Sequence, residues 1–117
     1  MPGWHVPTTA EWDALANAVG GTGVAGTRLK ALDGAADGSW PKGWNGADEF
    51  GFAAFPAGDR YSGTFYRIGI NANFWTATEI SSTDAYSRRF GTDASMYSDE
   101  SDKTIRAFSV RLVKDSA

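Results

Sequence analysis

The side chains best suited to catalysis in this sequence are one histidine and two pairs of adjacent acids. His5 is the sole histidine, so a Ser-His-Asp hydrolase would need it as the general base. It stands between Trp4 and Val6, a setting typical of a packed or capping side chain. The pairs Asp48-Glu49 and Asp99-Glu100 read as solvated surface or loop anchors, because nothing around them indicates an apolar pocket that would raise a carboxyl pKa. With no cysteine nucleophile either, we predict that the protein is not an enzyme.

Oxygen ligands for a metal ion are present, but they lack the spacing of an EF-hand calcium loop. Such a loop places Gly at its sixth position and Glu at its twelfth, an order that Asp93, Asp99, Glu100 and Asp102 do not follow. We therefore predict no metal site and no cofactor. A structural calcium ion near Asp48-Glu49 stays open as an alternative on ligand count alone.

Binding chemistry is better represented, in a polar segment that runs from residue 79 to residue 107. It holds six Ser, three Thr, four Asp and two Tyr, and apolar strand-like sequence stands on both sides of it. A segment this polar has too little apolar surface to form a core. Tyr for rigid contact area, with Ser and Gly for adaptable hydrogen bonds, is the composition of an antibody-like binding surface. We therefore expect the segment to be displayed on a scaffold.

The candidate ligand-binding residues are the positions of the polar segment that we expect to face solvent. On a strand from Ala85 to Phe90, alternation puts Ser87 and Arg89 on the face opposite Phe90. Ile80 and Ile105 make more sense as contact residues than as solvated ones. The full candidate set is Ile80, Asp84, Ser87, Arg89, Thr92, Asp93, Tyr97, Ser98, Asp99, Asp102, Thr104, Ile105 and Arg106.

Length and charge favour one domain, residues 1–117, with a scaffold of about 1–78 and 108–117. A chain of 117 residues with 42% apolar residues is of single-domain size. The net charge of −3 and the absence of Lys/Arg clusters argue against nucleic acid as a partner. No apolar run approaches the roughly 20 residues of a membrane-spanning helix, so we predict no membrane insertion by this domain.

The elements that would position these residues are two helices followed by strands. Thr8 and Glu11 have the form of a capping box, and Gly20-Gly21 gives a stop, which predicts a helix over 9–19. A second helix is predicted from Val24 to Leu32. Strands are predicted over 51–55, 60–66 (turning at 62–63), 73–78, 85–90 and 108–114. The aromatic residues expected to pin the Gly-rich middle of the chain to the core are Trp40, Trp44, Phe50, Phe52 and Phe55. This order predicts an α+β fold, with two helices packed against a small mixed or antiparallel sheet and long ordered loops.

Five motifs follow one another along nearly the whole chain. They are Gly3-Trp4-His5-Val6-Pro7-Thr8 with Ala10-Glu11-Trp12; Ala25-Gly26 with Leu29-Lys30; Asp48-Glu49-Phe50-Gly51-Phe52-Ala53-Ala54-Phe55-Pro56-Ala57-Gly58; Phe74-Trp75-Thr76-Ala77-Thr78-Glu79; and Phe108-Ser109-Val110-Arg111. Together they resemble the Fibrobacter succinogenes major paralogous domain. That family is similar to the formylglycine-generating-enzyme group, so the resemblance implies a variant C-type lectin-like fold. The copper-holding cysteines of those enzymes are absent here, which excludes their chemistry.

A second resemblance is confined to the polar segment. Proteins that retroelements diversify use a lectin-like fold and end in a variable region, where adenine-directed mutagenesis yields Ser, Thr, Asp, Tyr, Gly and Arg codons among others. The residues that resemble the fixed positions of such a region are Trp75, Thr78-Glu79, Ala85-Tyr86, Arg88, Phe90, Ser95, Met96, Lys103 and Phe108-Ser109-Val110-Arg111. The resemblance implies a diversified module that binds a protein or cell-surface target, carried by a longer protein on a cell or virion surface. The alternative is an undiversified surface domain, structural or carbohydrate-interacting, of the same family.

Overall fold

The first helix, α1, spans Thr9–Ala18 and begins where the capping box predicts it. In the computed structural model, which describes residues 2–31, 40–41, 43–44 and 46–115, the Thr8 N–H donates to the Glu11 carboxylate at 3.0 Å. The Glu11 N–H donates in return to the Thr8 hydroxyl at 3.2 Å. The helix ends at the cap residue Val19, after which two glycines adopt positive φ angles of 112° and 107°. The predicted helix over 9–19 is thus confirmed to within one residue.

His5 ties this helix start to the end of the chain. One ring nitrogen, Nε2, lies 2.7 Å from a Glu11 carboxylate oxygen, and Nδ1 lies 2.7 Å from an Asp115 oxygen. Because both partners only accept, both ring N–H groups donate, which favours the imidazolium form. The Asp115 hydrogen bond, followed by the Glu11 bond, raises the pKa of His5 above its ordinary value of 6.5. These contacts support the packed or capping role expected of this residue.

The second helix, α2, spans Thr22–Leu29, two residues earlier at its start than predicted. Lys30 caps it with an extended backbone, so the predicted continuation past Leu29 is wrong over the described residues, and the predicted end at Leu32 lies outside them. Inside the helix, Gly26 lies against the chain at 94–95, where an added Cβ would stand 2.5 Å from the Ser95 carbonyl oxygen. The helix therefore packs on this segment through its backbone.

Replacing Gly26 by alanine will lower the free energy of unfolding, by about 1–3 kcal/mol, since a methyl group must be forced into a packed contact. Gly23→Ala is the matched control, because no described atom lies within 4 Å of its added Cβ. In the same helix this control should gain about 0.5 kcal/mol from alanine's better helix propensity. Urea denaturation of both variants measures the difference. Equal stabilities would mean that α2 does not pack closely on residues 94–95.

The strands of the described residues form three antiparallel sheets. The central sheet has the order β4-β5-β6, formed by Ala72–Glu79, Asp84–Phe90 and Met96–Asp102. The hairpin sheet has the order β3-β2-β7, formed by Thr64–Tyr66, Asp59–Tyr61 and Arg106–Ala107. A two-stranded sheet joins β1, Trp4–His5, to β8, Val113–Lys114. The described residues form a small α+β domain, as predicted.

Several strand predictions are confirmed and two are wrong. Strands β4 and β5 match the predicted 73–78 and 85–90, and the predicted turn at Ser62-Gly63 joins β2 to β3. Residues 51–55 instead run irregularly, with one bridge from Ala54 to Lys30. Of 108–114, only the last two residues pair as a strand, and Ser109 bridges Phe74. This segment crosses β4 at one point, which leaves Val110 and Leu112 exposed despite their alternation.

The core lies between the helices and one face of the central sheet, here called the inner face. Trp12 of α1 packs on Phe74 and Phe90, with ring centroids 5.5 Å and 6.4 Å away. Leu29 and Met96 close the cluster, and Trp40 is buried as the pinning hypothesis requires. Phe52 and Trp44 pack against it, whereas Phe50 and Phe55 are exposed, so two of the five expected pins are wrong.

Candidate ligand-binding surface

The outer face of the central sheet, turned away from the helices, carries the first part of the candidate site. Antiparallel register sets one row from Asn73 through Arg89 to Tyr97, and a second row from Trp75 through Ser87 to Asp99. Residues in such cross-strand rows share a face, with Cβ atoms about 5 Å apart. The pairing therefore brings Arg89, Tyr97 and Asp99 together, three of the predicted ligand-binding residues.

Ser87 is a correction to the prediction that it faces solvent. Its side chain does lie on the outer face, but the residue is only 1% exposed. It belongs to the middle strand, and its register partners Trp75 and Asp99 have longer side chains. Phe108 further covers Trp75, at a ring-centroid distance of 4.4 Å. Alternation gave the correct face, but the sequence did not show that both faces of a central strand are covered.

Arg89 is held by both of its neighbours on β6. Its Nε donates to the Asp99 carboxylate at 2.8 Å, and its guanidinium lies 4.6 Å from the centre of the Tyr97 ring. The Tyr97 hydroxyl in turn donates to Asp93, in the turn before β6. This hydrogen bond lowers the pKa of Asp93 and raises that of Tyr97. The contacts fix Arg89 in one orientation while leaving it partly exposed.

A similar arrangement of arginine, aspartate and tyrosine side chains lies beside the hairpin sheet. Arg67, just after β3, donates from Nε and Nη2 to the Asp59 carboxylate at 3.1 Å and 2.9 Å. Arg106 of β7 approaches the same carboxylate at 3.4 Å. Arg67 also lies over the Tyr66 ring, and Arg106 lies over the Tyr61 ring at 4.5 Å. Each arginine therefore has an aspartate on one side and a tyrosine ring on another.

A polar cavity of about 420 Å³, here called the arginine pocket, lies where these two sheets meet. Three arginines line it, Arg67, Arg89 and Arg106. The other lining residues are Asn71, Asn73, Asp99, Glu100, Ser101 and Phe108. The pocket thus joins two predicted ligand-binding arginines to a third from the scaffold. Polar groups that converge in a concavity fix the orientation of a bound ligand and provide specificity.

A second cavity, of about 490 Å³, lies between α1 and the C-terminal segment. Its walls are mostly apolar, including Trp12, Leu15, Phe52 and Leu112. It contains none of the predicted site residues and brings together few polar groups. We therefore take the arginine pocket as the candidate site.

The remaining predicted ligand-binding residues do not line the arginine pocket. Thr92 and Asp93 are exposed in the turn between β5 and β6. The opposite end of the central sheet carries Ile80, Asp84, Asp102, Thr104 and Ile105, and Ile80 and Ile105 are exposed as expected. There the Thr104 hydroxyl and N–H both donate to Asp102 and lower its pKa. Ser98 pairs with Arg88, on the inner-face side of β6. The structure therefore does not unite all thirteen residues in one site.

Sequence reasoning missed the scaffold residues that line or flank the pocket. The sequence predicts Tyr61 and Tyr66 only as members of a strand, and it predicts no binding role for Arg67, Asn71 or Asn73. The available signal is the run from Arg60 to Ile70, which holds two arginines and five large aromatic or aliphatic residues that the structure leaves exposed. Tyr and Arg are enriched at binding hot spots, so such a run indicates an interaction surface.

The fold and site define a small α+β domain with a polar pocket between two antiparallel sheets. The family model of the Fibrobacter succinogenes major domain matches residues 2–114, and the chain therefore belongs to that family. Neither a curated protein nor a solved structure matches the chain. In the part of the chain that the structure describes, no helix is long and apolar enough to span a membrane. Within the same residues, no three His, Cys, Asp or Glu side chains are grouped so as to hold a metal ion.

Proposed function

We propose that this domain is a non-catalytic ligand-binding module that displays a retroelement-diversified surface on a C-type lectin-like scaffold and recognises protein or cell-surface targets. The observation that carries the proposal is the arginine pocket, where Arg89, Asp99 and Arg106 of the polar segment meet Arg67 of the scaffold. Each arginine lies over a tyrosine ring, Arg89 over Tyr97, Arg106 over Tyr61 and Arg67 over Tyr66. Pre-oriented Tyr and Arg side chains give affinity because little entropy is lost on binding.

The polar segment has a regular structure, which supports its role as a displayed binding surface. Residues 96–102 form β6 and pair one by one with β5 from Phe90 to Asp84. The surface residues of the segment therefore have fixed positions, although the segment supplies few core residues. Such an arrangement suits a surface that changes in sequence while the backbone beneath it is kept by main-chain hydrogen bonds.

The division between buried and exposed positions supports diversification. Four of the fourteen residues expected to be fixed are buried, namely Ala85, Arg88, Phe90 and Met96, and three are exposed, namely Glu79, Val110 and Arg111. Arg88 also makes a 2.6 Å ion pair with Asp13 of α1, so it belongs to the scaffold. By contrast, Ile80, Thr92, Asp93, Tyr97, Ser98, Thr104 and Ile105 are exposed. Substitution at exposed positions commonly changes stability by less than about 0.5 kcal/mol.

Sequencing the genomic locus tests the proposal. A nearby reverse-transcriptase gene and a near-identical template repeat are expected, differing from the coding sequence only at adenines. The differences should fall on the exposed codons 80, 92, 93, 97, 98, 104 and 105 and spare codons 85, 88, 90 and 96. Codon 87 should be limited to small residues, because Ser87 is buried. Differences spread over all nucleotides, or the lack of a template, would contradict diversification.

An undiversified carbohydrate-interacting domain of the same family is the second candidate. It is favoured by the mixture of Arg and Asn donors with Asp and Glu acceptors beside the Phe108 ring. Such mixtures suit hydroxyl groups, which both donate and accept. The locus separates the two candidates, since only the first requires a template repeat.

A further inference from the structure

We propose that the arginine pocket receives one carboxylate of a target protein, an Asp or Glu side chain, and that Arg67 and Arg106 bind it. This inference rests on the proposed binding function and adds the chemistry of the ligand. It also gives the two sides of the pocket different roles: Arg67 and Arg106, on the side of the hairpin sheet, bind the ligand, and Asp99 and Glu100 form the opposite wall.

The two arginines retain donors for such a ligand. A guanidinium has five N–H donors and no acceptor. Arg67 uses Nε and Nη2 on Asp59, and its Nη1 makes no bond within the described residues. Arg106 contacts Asp59 only through Nη1, at the long distance of 3.4 Å. Its other two guanidinium nitrogens likewise make no hydrogen bond within the described residues. Free guanidinium N–H groups match the paired oxygens of a carboxylate.

Burial makes this side of the pocket positive at its surface. The Asp59 side chain is 0% exposed, whereas those of Arg67 and Arg106 are 43% and 30% exposed. An approaching ligand therefore meets the guanidinium groups and not the carboxylate that orients them. This local excess of positive charge occurs on a chain whose net charge is −3. Complementary charge of this kind steers an acidic partner to the site.

The opposite wall limits how much negative charge the pocket accepts. Asp99 and Glu100 line that side, and Asp99 already pairs with Arg89. Like charges at short range are unfavourable, so a doubly charged phosphate fits less well than a single carboxylate. Asn73, another lining residue, is 5% exposed, and its Nδ2 has no hydrogen-bond partner within the described chain. This donor is buried, so it favours an acceptor ligand through its dipole and not through a direct hydrogen bond.

The tyrosine rings support binding by a protein. Tyr61 and Tyr66 flank the two arginines, with their ring centroids 6.3 Å apart, and both are exposed. Exposed Tyr beside Arg is typical of protein interfaces, where a charged side chain is enclosed by aromatic contact area. An acidic residue entering the pocket would bring its neighbours against these rings.

The test uses two small probes and the intact domain. N-acetyl-glutamate N-methylamide carries one side-chain carboxylate, and N-acetyl-glutamine N-methylamide is its neutral counterpart. At constant ionic strength, the glutamate probe should shift the Nε–H NMR signals of Arg67 and Arg106 saturably. The expected dissociation constant is on the order of 1 mM for a ligand of this size. The glutamine probe should bind at least about tenfold more weakly, since a charge-assisted pair is lost.

Matched variants localise the binding. Arg67→Gln should weaken the glutamate probe about tenfold, because it removes one charged donor pair. Arg60→Gln removes the same charge from the other face of the hairpin, where Arg60 lies over Phe65, and should leave the affinity unchanged. Thermal unfolding of each variant reports whether the fold is intact. The comparison of the two probes on the unmodified domain needs no variant.

Three results would overturn the inference. Equal binding of the two probes would show that charge is not recognised. Equal loss in Arg67→Gln and Arg60→Gln would show that the pocket is not the site. Binding of methyl glucuronide but not of the glutamate probe would assign the pocket to a sugar acid. Each outcome is independent of the template repeat, so the carboxylate site and the diversified function can fail separately.

Discussion

Replacing Lys30 by methionine will lower the free energy of unfolding by about 3 kcal/mol, because it removes charge-assisted hydrogen bonds from a buried site. Lys30 is 0% exposed, and its Nζ donates to the carbonyl oxygens of Trp44, Gly91 and Asp93 at 2.7–2.9 Å. Methionine keeps much of the length beside the Trp40 ring but donates nothing. Methionine avoids the cost of burying an ammonium group. The free energy lost is larger than this gain, because three carbonyl oxygens lose their donor.

Lys103→Met is the matched control for this prediction. Lys103 makes a surface ion pair with Glu79 at 3.3 Å, and such pairs contribute about 0–1 kcal/mol. Urea denaturation should therefore separate the two variants clearly, and thermal unfolding should show Lys30→Met lower by about 10 °C. Amide exchange should also rise in the turn at 91–93, where two of the carbonyl acceptors lie. A Lys30→Met domain as stable as Lys103→Met would mean that these hydrogen bonds contribute no net stability.

Replacing Gly58 by alanine will have an effect of similar size, on the hairpin sheet. Gly58 has a φ of +72°, and an added Cβ would stand 2.3 Å from the Tyr66 carbonyl oxygen and 2.7 Å from the Ile68 nitrogen. These are backbone atoms, so they cannot move away as a flexible side chain could. The left-handed conformation costs alanine about 1–2 kcal/mol, and the forced contact costs about 1–3 kcal/mol more. The chain at 66–68 must shift, and Arg67 shifts with it.

Gly63→Ala separates these two costs. Gly63 has a φ of +87° in the turn of the same hairpin, but no described atom lies within 4 Å of its added Cβ. This control should therefore lose only about 1–2 kcal/mol, through conformation alone. Gly58→Ala should in addition perturb the Arg67 Nε–H NMR signal, which reports the ion pair with Asp59. Equal losses in both variants would contradict the close approach of Gly58 to residues 66–68.

Local signals predicted the helices and turns well. Thr8 and Glu11 marked the start of α1, and Gly20-Gly21 marked its end, because capping and left-handed stops depend on neighbours in sequence. The turn at Ser62-Gly63 was found for the same reason. The strand prediction for 108–114 was wrong over most of its length. Its apolar and polar residues alternate, but no neighbouring strand runs beside the whole segment, and a strand forms only where it has a pairing partner.

Strand β6 shows the opposite error. Its sequence, Met96–Asp102, is almost wholly polar and has few residues of high strand propensity. It becomes a strand because each of its residues faces one of β5, whose main-chain groups need partners. The same pairing buries Ser87, which strand alternation predicted to face solvent and whose register partners are Trp75 and Asp99.

The sequence by itself determined the α+β class, the family motifs, the capping of α1 and the segment that carries most of the polar surface. These features depend on residues close together in the chain or on composition, which folding does not alter. Only the tertiary structure decided that Ser87 is buried and that Arg67, Arg89 and Arg106 line one pocket. The physical reason is distance along the chain, since Arg106 reaches Asp59 across 47 residues and Lys30 reaches Asp93 across 63. Contacts of that range exist only once the sheets have paired.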